Sequence, residues 1–287
     1  MNKLLNWSLA QESGDQEAIS KVGQPDAKML QQLFGGVDDP SLMKQAIIII
    51  ENEEATLENK EIAFDNFEML IENLDNANNI ENLKLWPAII NQLSSDAPPS
   101  LRVYAASVIA VAVQNNPNCQ EAFNKTDGLE KLIKIALDKE SSKELLLKSL
   151  LAISCAIRSF EKGYLQFNNL NGWEIIQNIN NEPLQNHKVK LRLLSVISSV
   201  LSNGLTKETQ SQLREHDLIK FLVSILDKDG HAGCIDKALN IVSQLAGEGF
   251  EFTSTEIADL SQGLENVHHL KDTLSVDDYD AAKKVLN

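Results

Sequence analysis

One pattern returns every 42–45 residues along most of this chain, and that period constrains the fold more than any other feature. Four segments align: residues 62–73 (IAFDNFEMLIEN), 104–115 (YAASVIAVAVQN), 148–159 (KSLLAISCAIRS) and 192–203 (RLLSVISSVLSN). Their ends, Asn73, Asn115, Ser159 and Asn203, lie 42, 44 and 44 residues apart. A second marker keeps the same rhythm. GLEKLIKIAL starts at Gly128, GWEIIQNI at Gly172 and DLIKFLVSIL at Asp217, at intervals of 44 and 45. A fifth, weaker copy begins near Cys234 (CIDKALNIVSQLAGEG). A unit this short cannot bury its own apolar face, so neighbouring units must stack to make a core.

Each unit reads as helices. Leu101, Tyr104, Ala105, Val108, Ile109 and Ala112 recur at i, i+3, i+4 spacing, and the opposite face of that segment is also largely apolar. A helix apolar nearly all round must lie between neighbours. Pro40 and Pro99 stand where helices should begin, and Pro117 and Gly204 where they should end. Ser141 with Glu144, and Thr253 with Glu256, fit capping boxes. No stretch sustains period-2 alternation, so no strands are expected. A period of 40–47 residues with two or three helices per unit marks armadillo or HEAT solenoids, and the order short, middle, long favours the first. The predicted fold is therefore all-α, an armadillo-like right-handed superhelical solenoid.

The ends differ from the middle. Residues 1–36 form a predicted N-terminal arm of two short helices with polar joins, one carrying Leu4, Leu5 and Leu9, the other Met29, Leu30, Leu33 and Phe34. This arm is expected to be flexible. A capping helix is expected within 37–56, about four to five repeats over 57–274, and a closing helix at 275–287, with the first and last repeats atypical.

Charge narrows the function. Asp and Glu outnumber Lys and Arg 41 to 26, for a formal charge of -15. Binding to phosphate backbones or anionic lipid relies on Lys and Arg, so neither nucleic acid nor a membrane surface is an expected partner. The most apolar stretch, 104–113, is about half of the roughly 20 residues that cross a bilayer. Cys119, Cys155 and Cys234 lie far apart and are odd in number, which suggests no disulfide framework and a reducing, cytoplasmic compartment.

Covalent chemistry finds little support. There is no GxxxxGK[ST], GxSxG, CxxC or HExxH. His268 and His269 would point about 100° apart on a helix and do not converge on an ion. Cys155 sits within an apolar helix, as core or groove lining. Asp38-Asp39 and Asp277-Asp278 fall near helix starts, where the dipole favours them. Trp86 and Trp173 open second helices and are read as packing residues. The expectation is no enzyme, no cofactor and no metal.

What remains is a binding surface along the third helices. The usual armadillo alignment places Asp65 and Met69, Ser107 and Val111, Leu151 and Cys155, Ser195 and Ser199 on it. Nuclear-import armadillo proteins carry Trp and Asn four residues apart at these positions, and no such pair occurs here. Of four arginines, Arg102, Arg158 and Arg192 fall in third-helix segments and Arg214 does not. Arginine pairs with carboxylates in a fixed fork and is enriched at interaction hot spots.

Residues 64–86 (FDNFEMLIENLDNANNIENLKLW), with LLNWSLA near the start and GQPDAKMLQQLFGG at 23–36, resemble the fungal armadillo-type nucleotide exchange factors of cytosolic 70-kDa heat-shock chaperones. The resemblance is strong over the arm and first repeat and rests on spacing beyond them. A monomer is expected, and the resemblance implies that it grips the chaperone's ATPase domain, opens its cleft, and promotes release of ADP and client. It also implies chaperone contacts at Asn73, Asp75, Ala77, Asn78 and Asn79, where a small Ala77 would allow close approach. Arg192 is expected to be a charged anchor on the same face. Leu4, Leu5, Trp7 and Leu9 of the arm would mimic a client in the chaperone's groove. The competing expectation is a peptide-binding scaffold or degradation adaptor; an unrecognised hydrolase is a third.

Overall fold

The computed structural model describes residues 38–177 and 186–286. The arm at 1–36, with Leu4, Leu5, Trp7 and Leu9, lies outside them. The chain divides into two units, Met1–Leu42 and Met43–Asn287, and the second carries the repeats.

Every regular element among the described residues is helical. Two helices come first, α1 (Asp39–Glu51) and α2 (Leu57–Ile71). Three-helix units follow. The first holds α3 (Leu74–Asn82), α4 (Trp86–Asn91) and α5 (Pro99–Val113); the second, α6 (Pro117–Phe123), α7 (Gly128–Leu137) and α8 (Lys143–Ile157). The third holds α9 (Glu161–Asn169), α10 (Glu174–Gln177) and α11 (His187–Leu201); the fourth, α12 (Lys207–Glu215), α13 (Leu218–Ile225) and α14 (Ala232–Gly247). A divergent last unit has α15 (Ser254–Val267), a 3-10 turn at His268–Thr273 and α16 (Val276–Lys284).

The unit ends follow from local chemistry. Asn115 and Ser159 stand two residues beyond α5 and α8 with φ of 52° and 48°, and Gly204 ends α11 with φ of 91°. Left-handed backbone is tolerated best by Gly and Asn, which suits Asn115 and Gly204; Ser159 lacks that preference, and its N–H donates to Ser202 Oγ at 2.8 Å. Pro117 is the first residue of α6, four residues beyond the last of α5, so it marks a helix start and not the end expected from the sequence. Thr253 and Glu256 form the expected reciprocal capping box. The Ser141 expectation is off by one. Ser142 caps α8 by accepting from the Leu145 N–H at 3.2 Å, while the Ser141 hydroxyl donates to Ile135 O, so there is no capping box there.

Gly128 and Gly172 hold their places for steric reasons. A Cβ on either would lie 2.2 or 2.3 Å from the ring of Phe123 or Phe167, each five residues upstream and fully buried. Trp86 and Trp173, both 2% exposed, pack in the same layer. The Trp86 ring lies 5.6 Å from Phe123 and the Trp173 ring 6.1 Å from Phe167.

The third helices stack on one another as a ladder, α2 on α5, α5 on α8, α8 on α11, α11 on α14 and α14 on α16. Ten of the fifteen residues of α8 are buried. At ~1.5–3 kcal/mol per large apolar side chain, each seam removes gross apolar surface worth on the order of 10 kcal/mol. Most of that is offset by chain entropy. A second row, α3, α6, α9 and α12, runs beside the ladder.

Candidate functional site

Two adjoining hollows that share Glu144 and Lys148 make up a cleft along the ladder. Its first part, about 710 Å³, is lined by Glu61, Asp65, Glu68, Met69 and Glu72 of α2 and its end, by Tyr104 and Ser107 of α5, and by Glu144 and Lys148 of α8. Its second part, about 630 Å³, shares Glu144 and Lys148 and continues along Leu147, Lys188, Leu191, Arg192, Ser195 and Lys237. The first part is anionic, the second cationic.

A hydrogen-bonded chain joins the two parts. The Lys148 ammonium donates to Ser107 Oγ at 2.8 Å, and that hydroxyl donates to Glu68 Oε1 at 2.8 Å. Ser107 itself is buried, so opposite charges from α2 and α8 are fixed through one hydroxyl on α5. Tyr104 stacks on Phe64 at 5.8 Å and donates to Asp65. Burial and then Asp65 push the Tyr104 phenol up. At the other end, burial and the neighbouring Arg158 push the Lys237 ammonium down, against a smaller opposing effect of Asp278. Burial also raises the Cys155 thiol, while Arg158 and Arg192 pull it the other way.

Several groove residues read from the sequence line this cleft: Asp65, Met69, Ser107 and Ser195. Val111, Leu151, Cys155 and Ser199 do not. Ser199 is fully buried and bonds Ser154 at 2.9 Å across the α8–α11 seam, because the ladder turns that side of each helix inward. Arg192 lies on the cleft wall, half-buried.

The Asn73–Asn79 motif sits elsewhere. Asn73 caps α3, its side-chain oxygen accepting from the N–H of Asp75 and Asn76. The Asn76 amide donates to Leu70 O at 2.9 Å, tying α3 to α2. Asn79 accepts from Asn82, and the Cys119 thiol from α6 points to Ala77 O and Asn78 Oδ1 at 3.1 and 3.8 Å. Asp75 is exposed; Asn78 and Asn79 are half-buried. Ala77 is 2% exposed. Its small side chain is part of the core, so what the motif presents at the surface is Asp75 with Asn73, Asn78 and Asn79. The expectation of a shared face is corrected: α3 belongs to the outer row, whereas Arg192 belongs to the ladder.

Sequence reasoning missed Lys148, Lys188, Lys237, Glu68 and Glu144 as cleft residues. A signal for three of the cations was present. Lys148, Arg192 and Lys237 are each the sixth residue of α8, α11 and α14, and they recur at the repeat spacing.

Other chemistry is sparse among the described residues. No group of three or more His, Cys, Asp or Glu is placed to hold a metal ion, and no helix is long and apolar enough to cross a membrane. His268 and His269 turn to different partners, Tyr279 and Asn266 O. Burial pushes the Cys119 thiol up to about 12, far from a reactive thiolate.

Comparison with known proteins adds to this geometry. Residues 1–80 match the family described as nucleotide exchange factor Fes1, and residues 76–244 match the SIL1/FES1/HPBP1 C-terminal domain. A relative from Scheffersomyces stipitis, named Hsp70 nucleotide exchange factor FES1, is 62% identical over 287 residues, all of both chains. Its namesake in Saccharomyces cerevisiae is 42% identical over 290 residues, again covering 100% of each. Among solved structures, a designed armadillo repeat protein in complex with a (KR)4 peptide superposes with TM-score 0.69. It is 14% identical and covers 88% of this chain and 100% of its own. At that identity the likeness concerns the fold alone.

Proposed function

Because the chain belongs to the Fes1 family of nucleotide exchange factors, we propose that it binds the ATPase domain of a cytosolic 70-kDa heat-shock chaperone and speeds ADP release. The observation that carries this reading is similarity over the whole chain, arm and repeats together, to proteins named for that activity. The ladder cleft supports it with a charged surface that several repeats build together.

The mechanism is differential binding. A rigid solenoid that fits the ATPase domain better when its cleft is open shifts the chaperone toward the open state, from which ADP escapes. Linkage then requires that nucleotide weaken the factor's binding by the factor's own effect on nucleotide, a coupling of ~1–3 kcal/mol on the usual scale. No bond is made or broken, so the protein is not an enzyme in the covalent sense. Arg192 in the cleft is the proposed anchor. Asn73, Asp75, Asn78 and Asn79 keep a contact role only through what α3 leaves exposed. Leu4, Leu5, Trp7 and Leu9 are proposed to assist client release by occupying the client-binding groove.

Stopped-flow release of a fluorescent ADP analogue from the chaperone tests the first part. Sub-stoichiometric protein should accelerate release, and an unchanged rate would contradict the proposal. Deletion of residues 1–36 tests the second: client release should fall while ADP exchange persists, and equal loss of both would remove the arm's separate role.

A further inference from the structure

We infer that the cation row Lys148–Arg192–Lys237, with Lys188, docks an acidic surface of the protein partner, and that the carboxylates at the opposite end of the cleft repel that surface, so the partner seats in one direction only. The inference rests on the reading that this cleft holds the chaperone, and it specifies the chemistry of the contact.

The row comes from the repeat itself. The sixth residues of α5, α8, α11 and α14 are Tyr104, Lys148, Arg192 and Lys237. Packed helices lie roughly 8–10 Å apart, so the three cations span about 20 Å along the cleft. Among the described residues no carboxylate lies within ion-pairing distance of Lys148, Lys188, Arg192 or Lys237. Lys148 is instead held by Ser107, and Lys237 lies 3.4 Å from the Ser198 hydroxyl. In a chain of formal charge -15, four cations lining one hollow without a direct ion pair, with Glu144 the one carboxylate of that lining, are a local exception. Leu147 and Leu191 stand half-buried between them, so the complementary surface carries apolar groups beside its acids.

Direction follows from the other end. Glu61, Asp65, Glu68 and Glu72 line it, and Glu144 marks the boundary. An acidic surface placed there meets like charge, and such juxtaposition suppresses the wrong pose. The same carboxylates and the overall negative charge disfavour a nucleic acid in the groove.

The test pairs two double charge reversals in the full-length protein. Lys188→Glu/Arg192→Glu alters the cleft. Lys207→Glu/Lys220→Glu makes the same change in net charge on α12 and α13, outside the cleft. Affinity for the chaperone's ATPase domain is measured by calorimetry at low and physiological salt. The cleft variant should bind about tenfold or more weakly and lose most of the salt dependence, and the outer variant should stay near wild type. A Lys188→Gln/Arg192→Gln variant should lose less than the reversal. Unchanged affinity in the cleft variant, or an equal loss in the outer one, overturns the inference while wild-type ADP release leaves the exchange reading intact. Absence of wild-type binding to the ATPase domain overturns both. Wild-type binding to a single-stranded oligonucleotide as tight as to the ATPase domain would also overturn it.

Discussion

The outer row of α3, α6, α9 and α12 and the inner ladder of α2, α5, α8, α11 and α14 are made by the same repeats, yet they spend their polar residues in opposite ways. In the outer row the polar groups turn into the seams. Gln120 donates to Cys155 O and Arg158 O at 2.8 and 3.0 Å, Asn76 donates to Leu70 O, and Tyr164 meets Thr209 at 3.0 Å. In the ladder, Lys188 and Arg192 stand without an ion-pair partner among the described residues. A polar residue whose bonding capacity is already used inside the fold is a poor candidate for binding, however distinctive its motif. Asn76, beside the buried Ala77, and Arg192 stand at the two extremes of that contrast.

Ala77→Arg should break the contrast most severely. A guanidinium forced into the α3–α6 seam is both overpacked and unpaired, which costs about 3 kcal/mol or more. Thermal unfolding monitored by circular dichroism should fall by roughly 6–12 °C. An unchanged melting temperature would mean that Ala77 faces solvent after all.

Gly172→Ala comes next. Its new Cβ meets Phe167 at 2.3 Å, so a ring that also packs on Trp173 must shift. A loss of about 1–3 kcal/mol by denaturant titration is expected, with chaperone affinity kept. Gln120→Ala should cost about 1–3 kcal/mol as well, because the buried Cys155 carbonyl and the half-buried Arg158 carbonyl lose their donor. Equal stability to wild type in urea would show that water replaces it.

The smallest effect concerns pH. His216 lies flat on Trp173 at 6.0 Å. Burial pushes its imidazole down, against weaker effects of Glu215 and Glu174 in the other direction. A folded value below the unfolded one favours the neutral ring. Its contribution is therefore complete above the unfolded value of about 6.5 and is lost as pH falls through the folded one. Melting temperatures followed from about pH 8 to about pH 5 should decline less steeply in His216→Phe than in wild type. Parallel curves would remove His216 as a source of the slope.

Much of the fold was legible because it is local. Asn115 and Gly204 stop helices through their own backbone preferences, and they help set the period that the sequence displays. Thr253 and Glu256 read correctly for the same reason. Ser141 misled because Ser142 is an equally good cap, and only the hydrogen bond from Ser141 to Ile135 O decides between them. The site was legible only in part. Arg192 was singled out by composition, and Met69 and Asp65 by repeat alignment, yet burial of Ala77 depends on α6, 42 residues away. Single motifs carry no such information. The cation row was readable, but only by comparing the sixth position of each long helix in turn.

The central claim is that this solenoid favours an open, nucleotide-poor chaperone. Calorimetric affinities for the ATPase domain with and without saturating ADP measure it most directly. Binding to the nucleotide-free domain should be tighter by ~5–150-fold. Equal affinities for the two forms would contradict the account.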